Sequence, residues 1–331
     1  MINSKTPFNI SFLLLSAIVF YNLTGCAERG STNDTKEVPG ADSITVVTTT
    51  TQIYDLVNQI AGDQCKVISL MGPGIDPHLY KPTARDMQAL SSADMIFFHG
   101  LKLEGKLSTV LKRSEESKIP IHEVCSVIPA NLLLDSAESG KSYPDPHVWF
   151  SPPLWNICMH GVAAVFCDLI PEKKDLFIER SNDLEEQFSE IEQWAKVQFS
   201  KISPKRRKII TSHDAFRYLG RSFDMEVIGL QGISTATEAG LGDRTNLVDF
   251  IKEYQIPVLF VESSVNPKAL KEIAKETGSA LGKPLFSDAF GADDVSVVGP
   301  SGNKHALSTW TGMMTHNVNA LVDGLAENNG E

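Results

Sequence analysis

The tripeptide Asp-Pro-His occurs twice, at Asp76-Pro77-His78 and Asp145-Pro146-His147. Each copy follows a turn-rich stretch, MGPGI before the first and SGKSYP before the second. Proline fixes its own φ and pushes the residue before it into an extended conformation, so each imidazole is presented from a stiffened loop. A third imidazole, His213, directly follows the apolar run KIITS, and a carboxylate, Asp288, directly follows PLFS. In open α/β sheets, ligands bind at the carboxyl ends of strands, where these two side chains are expected. Taken singly, each residue has an ordinary explanation: a solvated loop histidine, or an aspartate capping a helix. Together, His78, His147, His213 and Asp288 supply three nitrogens and one carboxylate, the donor set of a closed four-coordinate metal site. Two come from each half of the chain and can converge in a cleft between them.

The elements that must position these residues alternate between short apolar runs and helix-length amphipathic stretches. Ile44–Thr49, Cys65–Leu70 and Met95–Phe98 are predicted strands of the first half. Lys208–Thr211, Glu226–Leu230, Pro257–Val261 and Pro284–Phe286 are those of the second. This βαβ pattern predicts an α/β fold of two lobes built on parallel sheets. Between them, Phe177, Leu184, Phe188, Ile191, Ala195 and Ile202 share one helical face, while Glu179, Glu185, Glu186, Glu192 and Lys196 occupy others. A helix from Pro171 to Ile202, about 45 Å long, is expected to be a rigid connector lying along both lobes. The expected organisation is 44–170 for the first lobe, 171–203 for the connecting helix and 204–331 for the second lobe.

The start of the chain reads differently. Lys5 precedes an apolar run, Phe8 to Phe20, too short to span a bilayer and of signal-peptide length. The run leads to Leu23-Thr24-Gly25-Cys26, which resembles the bacterial lipobox. That resemblance implies a leader over 1–26 and an acylated Cys26 as mature N-terminus, tied to a lipid bilayer. Residues 27–43 are small, charged and turn-forming, and are expected to be a flexible tether. The composition, 42% hydrophobic and 21% charged, is that of a folded globular protein, and 331 residues exceed one typical domain. A net charge of −11 disfavours nucleic acid and favours cationic partners. Cys65, Cys125, Cys158 and Cys167 show no CxxC spacing and are expected to be small buried apolar residues; an exported protein could also pair them.

Seven segments carry a family resemblance: MGPGIDPHLYKPTARD, DPHVWFSPPLW, TSHDAFRYLG, EVIGLQGISTATEA, LFVESSVNP, LFSDAFG and TGMMTHNVNALVDGL. In this order, from about Ile44 to Leu325, the chain resembles the metal-binding lipoproteins of bacterial ABC importers. These are the cluster A-I proteins, or solute-binding protein family 9. The resemblance implies two lobes joined by one long helix, with a metal buried between them. It carries the family's ligand positions onto His78, His147, His213 and Asp288; the third position varies in the family and is His213 here. It implies an extracytoplasmic, membrane-anchored monomer that hands a divalent metal, manganese or zinc with iron possible, to a membrane permease.

The SDAFG context is that of the manganese/zinc branch. Residues 79–146 hold only His99 and His122, without the His-rich acidic loop frequent in zinc-uptake members. Both features shift the expected cargo toward manganese, with zinc the tighter competitor. The chain departs from the family pattern over Gly291–Leu307, a long stretch with Asp293, Asp294 and His305. It is expected to be a solvated loop, with an auxiliary ligand or a lid as the alternative. His99, His122, His160, His305 and His316 are expected to be structural or surface residues. Glu262 could orient a ligand histidine, or serve as a cap or a lobe-contact residue.

Two other functions use the same donors. A zinc metallohydrolase also holds its metal with histidines and a carboxylate, but keeps a position open for water, and no HExxH helix is present. An adhesin could hold a purely structural metal. The filled donor set favours transport, and no enzymatic activity is expected.

Overall fold

In the computed structural model of the protein, residues 44–116, 118–136 and 143–326 are described. The leader, Cys26 and the tether expected over 27–43 lie outside them. Among the described residues no helix is long and apolar enough to cross a membrane.

In the first lobe, β1 (Thr45–Thr48), α1 (Thr51–Ala61), β2 (Lys66–Ser69), α2 (Ala84–Ser91), β3 (Met95–Phe98), α3 (Leu107–Glu116) and β4 (Ile121–Glu123) follow in chain order. The strands form one parallel sheet in the order β2-β1-β3-β4. Val46, Phe97 and Met95 bury one set of side chains against α1 and α4 (Pro152–Leu169), while Val47 and Ile96 pack into a cluster with Leu90, Leu107 and Leu111. Sheets covered on both faces are the usual setting of parallel strands. The short β4 has too few apolar residues to announce itself in sequence.

The long helix α5 runs over Lys174–Phe199, entered through a 3-10 turn at Pro171–Lys173. It is shorter than the Pro171–Ile202 span expected. Pro171 opens the 3-10 turn instead, and at the other end Ser200 closes the helix. Phe177, Leu184, Phe188, Ile191 and Ala195 are buried along one face, as their spacing requires, and Ile202 is buried just past the end. The helix packs on α4 on one side and on α9 (Trp310–Leu325) on the other. Arg180 reaches from it to the end of α1, donating through Nη1 to the carbonyls of Ile60 (3.0 Å) and Ala61 (2.7 Å). Those carbonyls have no partner within their own helix, and a cation there also suits the helix dipole.

The second lobe contains β5 (Lys208–His213), α6 (Arg217–Phe223), β6 (Glu226–Gln231), α7 (Leu241–Glu253), β7 (Val258–Leu259), α8 (Lys268–Thr277) and β8 (Ala280–Leu281). β5 pairs with β6 and β7 with β8, all parallel, and a bridge between Thr211 and Phe260 joins the two pairs. The resulting order, β6-β5-β7-β8, repeats the second-first-third-fourth order of the other lobe. This internal repeat of topology leaves no trace as sequence repetition.

Two further expectations differ from the structure. Pro284–Phe286 is not a strand, although Leu285 bridges Glu262. Pro284 has no N–H for a ladder, and Asn317 of α9 takes both backbone groups of Phe286, accepting from its N at 2.9 Å and donating to its O at 2.7 Å. The stretch from Gly291 to Leu307 is more ordered than a solvated loop. It holds an antiparallel hairpin, β9 (Ser296–Val298) and β10 (Lys304–Ala306), turned at Pro300–Gly302. Its base is closed by hydrogen bonds from Gly291 N to Leu307 O and from Leu307 N to Val295 O, each 2.8 Å.

Candidate metal centre

The four residues singled out by type come together in the structure. His78 lies in the loop after β2, His147 just before α4, His213 at the last position of β5, and Asp288 three residues after the Leu285 bridge. The two sheets therefore aim their carboxyl ends at one point. Each of the four residues offers a ligand atom, and these atoms all lie within 4.8 Å of one another. Asp288 is central: Oδ2 is 3.1 Å from His213 Nε2 and 4.0 Å from His78 Nε2, and Oδ1 is 3.3 Å from His147 Nε2. All four side chains are buried, His78 least so at 7% exposure.

The three Nε2 atoms and both Asp288 oxygens are buried without a satisfying hydrogen bond. Polar atoms are costly to bury in this state, and a cation coordinated by all of them removes the cost. Three imidazole nitrogens and a carboxylate at this spacing suit zinc at four-coordination; with both Asp288 oxygens engaged, manganese or iron also fit.

At His147 and His213 the other ring nitrogen and the backbone N are met by acids. Asp145 Oδ1 accepts from His147 N at 3.0 Å and lies 2.7 Å from its Nδ1. Glu262 Oε1 accepts from His213 N at 2.9 Å, while Oε2 approaches His213 Nδ1 to 2.5 Å. A carboxylate on the far nitrogen fixes the tautomer that leaves Nε2 for a metal and raises its basicity. Asp145 itself is locked by its N to Leu134 O (2.7 Å) and by Tyr218 Oη donating to its O (3.1 Å). Close backbone approach also matters. At Gly105, φ is +46° and a Cβ would sit 2.6 Å from His78 O; at Gly229 one would sit 2.6 Å from the carbonyl carbon of His213.

These charges set the protonation of the metal-free cluster. Burial alone would lower the His147 pKa, but the carboxylates of Asp145 and Asp288 outweigh it and push the value up to about 9. At His213 burial is likewise overcome, by Asp288 and Glu262, and the pKa stands well above the usual value. Asp288, which burial would raise, is held well below the carboxylate range by His213 and His147. At His78 burial outweighs the more distant Asp288 carboxylate and takes the pKa down to about 3. The metal-free site thus pairs one carboxylate with protonated His147 and His213.

Glu262, left open by sequence between orienting acid, cap and lobe-contact residue, touches His213 directly. His99 is structural, as expected, yet fully buried beside the site: its Nε2 lies 2.7 Å from Pro146 O, and its ring meets Trp149 edge-on at 5.1 Å. Nothing in its sequence surroundings signals this; only β3 ending beneath the second Asp-Pro-His does. The 291–307 stretch contributes no auxiliary ligand to the cluster. Asp293, Asp294 and His305 are not part of the cluster, and Asp293 accepts from Ser308 Oγ instead. His122, His160 and His316 are also apart from it; His316 Nε2 meets Pro284 O at 2.9 Å.

Comparison with known proteins agrees with this architecture. The manganese-binding lipoprotein MntA of Bacillus subtilis is 38% identical over 319 residues, covering 94% of this chain and 98% of that protein. The zinc-binding protein TroA of Treponema pallidum is 37% identical over 286 residues, covering 85% of this chain and 88% of that protein. The solved structure of the periplasmic zinc-binding protein TroA from Treponema pallidum superposes with a TM-score of 0.80 at 34% identity, covering 86% of this chain and all of that one. The family described as ZnuA, zinc-uptake complex component A, periplasmic, matches residues 46–324, and the chain belongs to it.

Proposed function

We propose that this protein captures a divalent transition-metal ion outside the cytoplasm, through His78, His147, His213 and Asp288, and delivers it to the membrane permease of an ABC importer. The observation that carries this reading is the convergence of three Nε2 atoms and one carboxylate, buried and without other partners, from two lobes. The relatives named for manganese and zinc binding support the cargo class. The donor set accounts for four protein ligands, and the nearest acids, Asp145 and Glu262, are committed to ligand histidines. A hydrolytic site needs an open position and a free base, so binding rather than catalysis fits.

In this reading 44–170 and 204–331 are the lobes and 171–203 the connector. Cys26 is acylated after removal of the leader and holds the protein at the membrane through the 27–43 tether; Cys26→Ser is expected to abolish labelled fatty-acid incorporation. Manganese is the expected physiological cargo. Loss of the gene is expected to impair growth and radiolabelled manganese uptake under manganese limitation more than under zinc limitation. Unchanged uptake of both metals would refute the transport role, whereas a defect rescued only by zinc would change the cargo and leave the site intact.

A further inference from the structure

The two Asp-Pro-His tripeptides are identical in sequence but differently employed. In the second, Asp145 is fully buried and gives Oδ1 to both the backbone N and Nδ1 of His147. In the first, Asp76 Oδ1 accepts only from the backbone N of His78, at 2.9 Å. Its other oxygen, Oδ2, accepts from Thr235 Oγ1 at 2.6 Å, across 159 positions of sequence and from the opposite lobe. No carboxylate holds the His78 ring, and His78 is both the ligand farthest from Asp288 and the one with most exposure. Its loop ends in solvent, with Ile75 at 41% and Leu79 at 53% exposure. Among the described residues, the bond to Thr235 is the one hydrogen bond tying residues 72–82 to the second lobe.

We propose that Asp76 and Thr235 form a latch that closes the cleft over the cargo, and that His78 is the ligand that disengages first when the metal leaves. Asp76 and Thr235 are positioning residues. Asp76 bridges the His78 backbone to the far lobe, so His78 swings out only when the Thr235 hydroxyl lets go. His147 and His213, each gripped by a buried acid, stay in place and form with Asp288 the half-site from which the ion departs. A permease that pulls the 234–237 segment from the 72–79 loop would release the metal without breaking either acid–histidine pair. This inference rests on the proposed ligand set and adds the order of release.

The test compares wild type with Thr235→Val, which keeps shape and removes the hydroxyl, and with Thr235→Ser, which keeps it. Zinc-loaded protein is mixed rapidly with excess chelator to read dissociation, and cobalt-loaded protein gives a visible spectrum that reports the ligand set. The latch predicts dissociation faster by about 10- to 100-fold in Thr235→Val, the range expected for losing a hydrogen bond to a charged group. It also predicts an unchanged cobalt spectrum, and a rate near wild type in Thr235→Ser. Asp76→Asn, which keeps an oxygen for His78 N, is expected to accelerate release as well. Equal dissociation rates in wild type, Thr235→Val and Asp76→Asn would overturn the latch. So would an altered cobalt spectrum in Thr235→Val, since the hydroxyl would then shape the site itself. Failure of wild type to bind zinc or cobalt would overturn the ligand assignment instead.

Discussion

His147 and His213 meet their acids on the ring nitrogen that faces away from the cluster, and this arrangement predicts how binding responds to pH. Metal needs both Nε2 atoms unprotonated, but in the metal-free site both rings hold a proton at neutral pH, with His147 at about 9 and His213 well above its usual value. The free form therefore binds more protons than the loaded form, so acid favours the free form and affinity rises with pH, the His147 contribution levelling off above about 9. The limiting slope is roughly 100-fold per pH unit, for two protons displaced. His78, already neutral, adds nothing to it. Calorimetry in buffers of different ionisation enthalpy counts these protons, and release of none would contradict the assignment. Asp145→Asn is expected to weaken metal binding by about 10- to 100-fold while the site still assembles. His99→Ala is expected to cost about 10-fold through the loosened Pro146 carbonyl; a competition titration reads both. The ligand candidates were legible because type, tripeptide context and strand ends coincide at single positions. Glu262 was legible only as one of several alternatives, and the burial of His99 beside the site not at all, because both depend on which strand lies beside which. The distinct duties of Asp76 and Asp145 are equally invisible in two identical tripeptides.

At the scale of elements, α5 carries the strongest claim. Its apolar face was readable because a 3.6-residue period over many turns leaves little choice of which side is buried. Its ends were less so, since a 3-10 turn and a helix share the same pattern at Pro171. Phe188 lies at mid-helix with its ring 4.4 Å from that of Trp310, and both are fully buried. Phe188→Ala is expected to destabilise the protein by about 3–5 kcal/mol, lowering the thermal midpoint by roughly 10 °C. Thermal unfolding of the metal-free variant checks this, and a shift near zero would mean that α5 does not brace the two lobes. The parallel strands were legible where β-branched or aromatic residues ran together, six from Ile44 to Thr49 around Val46 and three from Ile209 to Thr211. β4, β8 and the β9–β10 hairpin were not: each strand is two or three residues long, and none lies in an unbroken apolar run like the Val258–Val261 that carries β7. Phe286 shows the limit of such reading, because a side chain on a distant helix supplies the hydrogen bonds that a strand partner would otherwise make.

For the whole molecule, the continuous helix between lobes and the core shared by α1, α4, α5 and α9 predict limited motion. Proteins that close widely hinge on short loop segments, which absorb large backbone changes; a packed helix does not. Small-angle scattering of free and metal-loaded protein is expected to give nearly the same radius of gyration, with changes confined to the loops around His78 and Asp288; a large contraction would contradict the rigid connector. At the centre of the proposed function, four buried side chains from two lobes hold a transported metal ion. The most direct test is a competition titration with manganese and zinc, paired with elemental analysis, on wild type and on His78→Ala, His147→Ala, His213→Ala and Asp288→Ala. The account predicts one equivalent of metal per wild-type chain, zinc bound more tightly than manganese, and affinity reduced by at least about 100-fold in each variant; equal affinity in wild type and all four variants would contradict it.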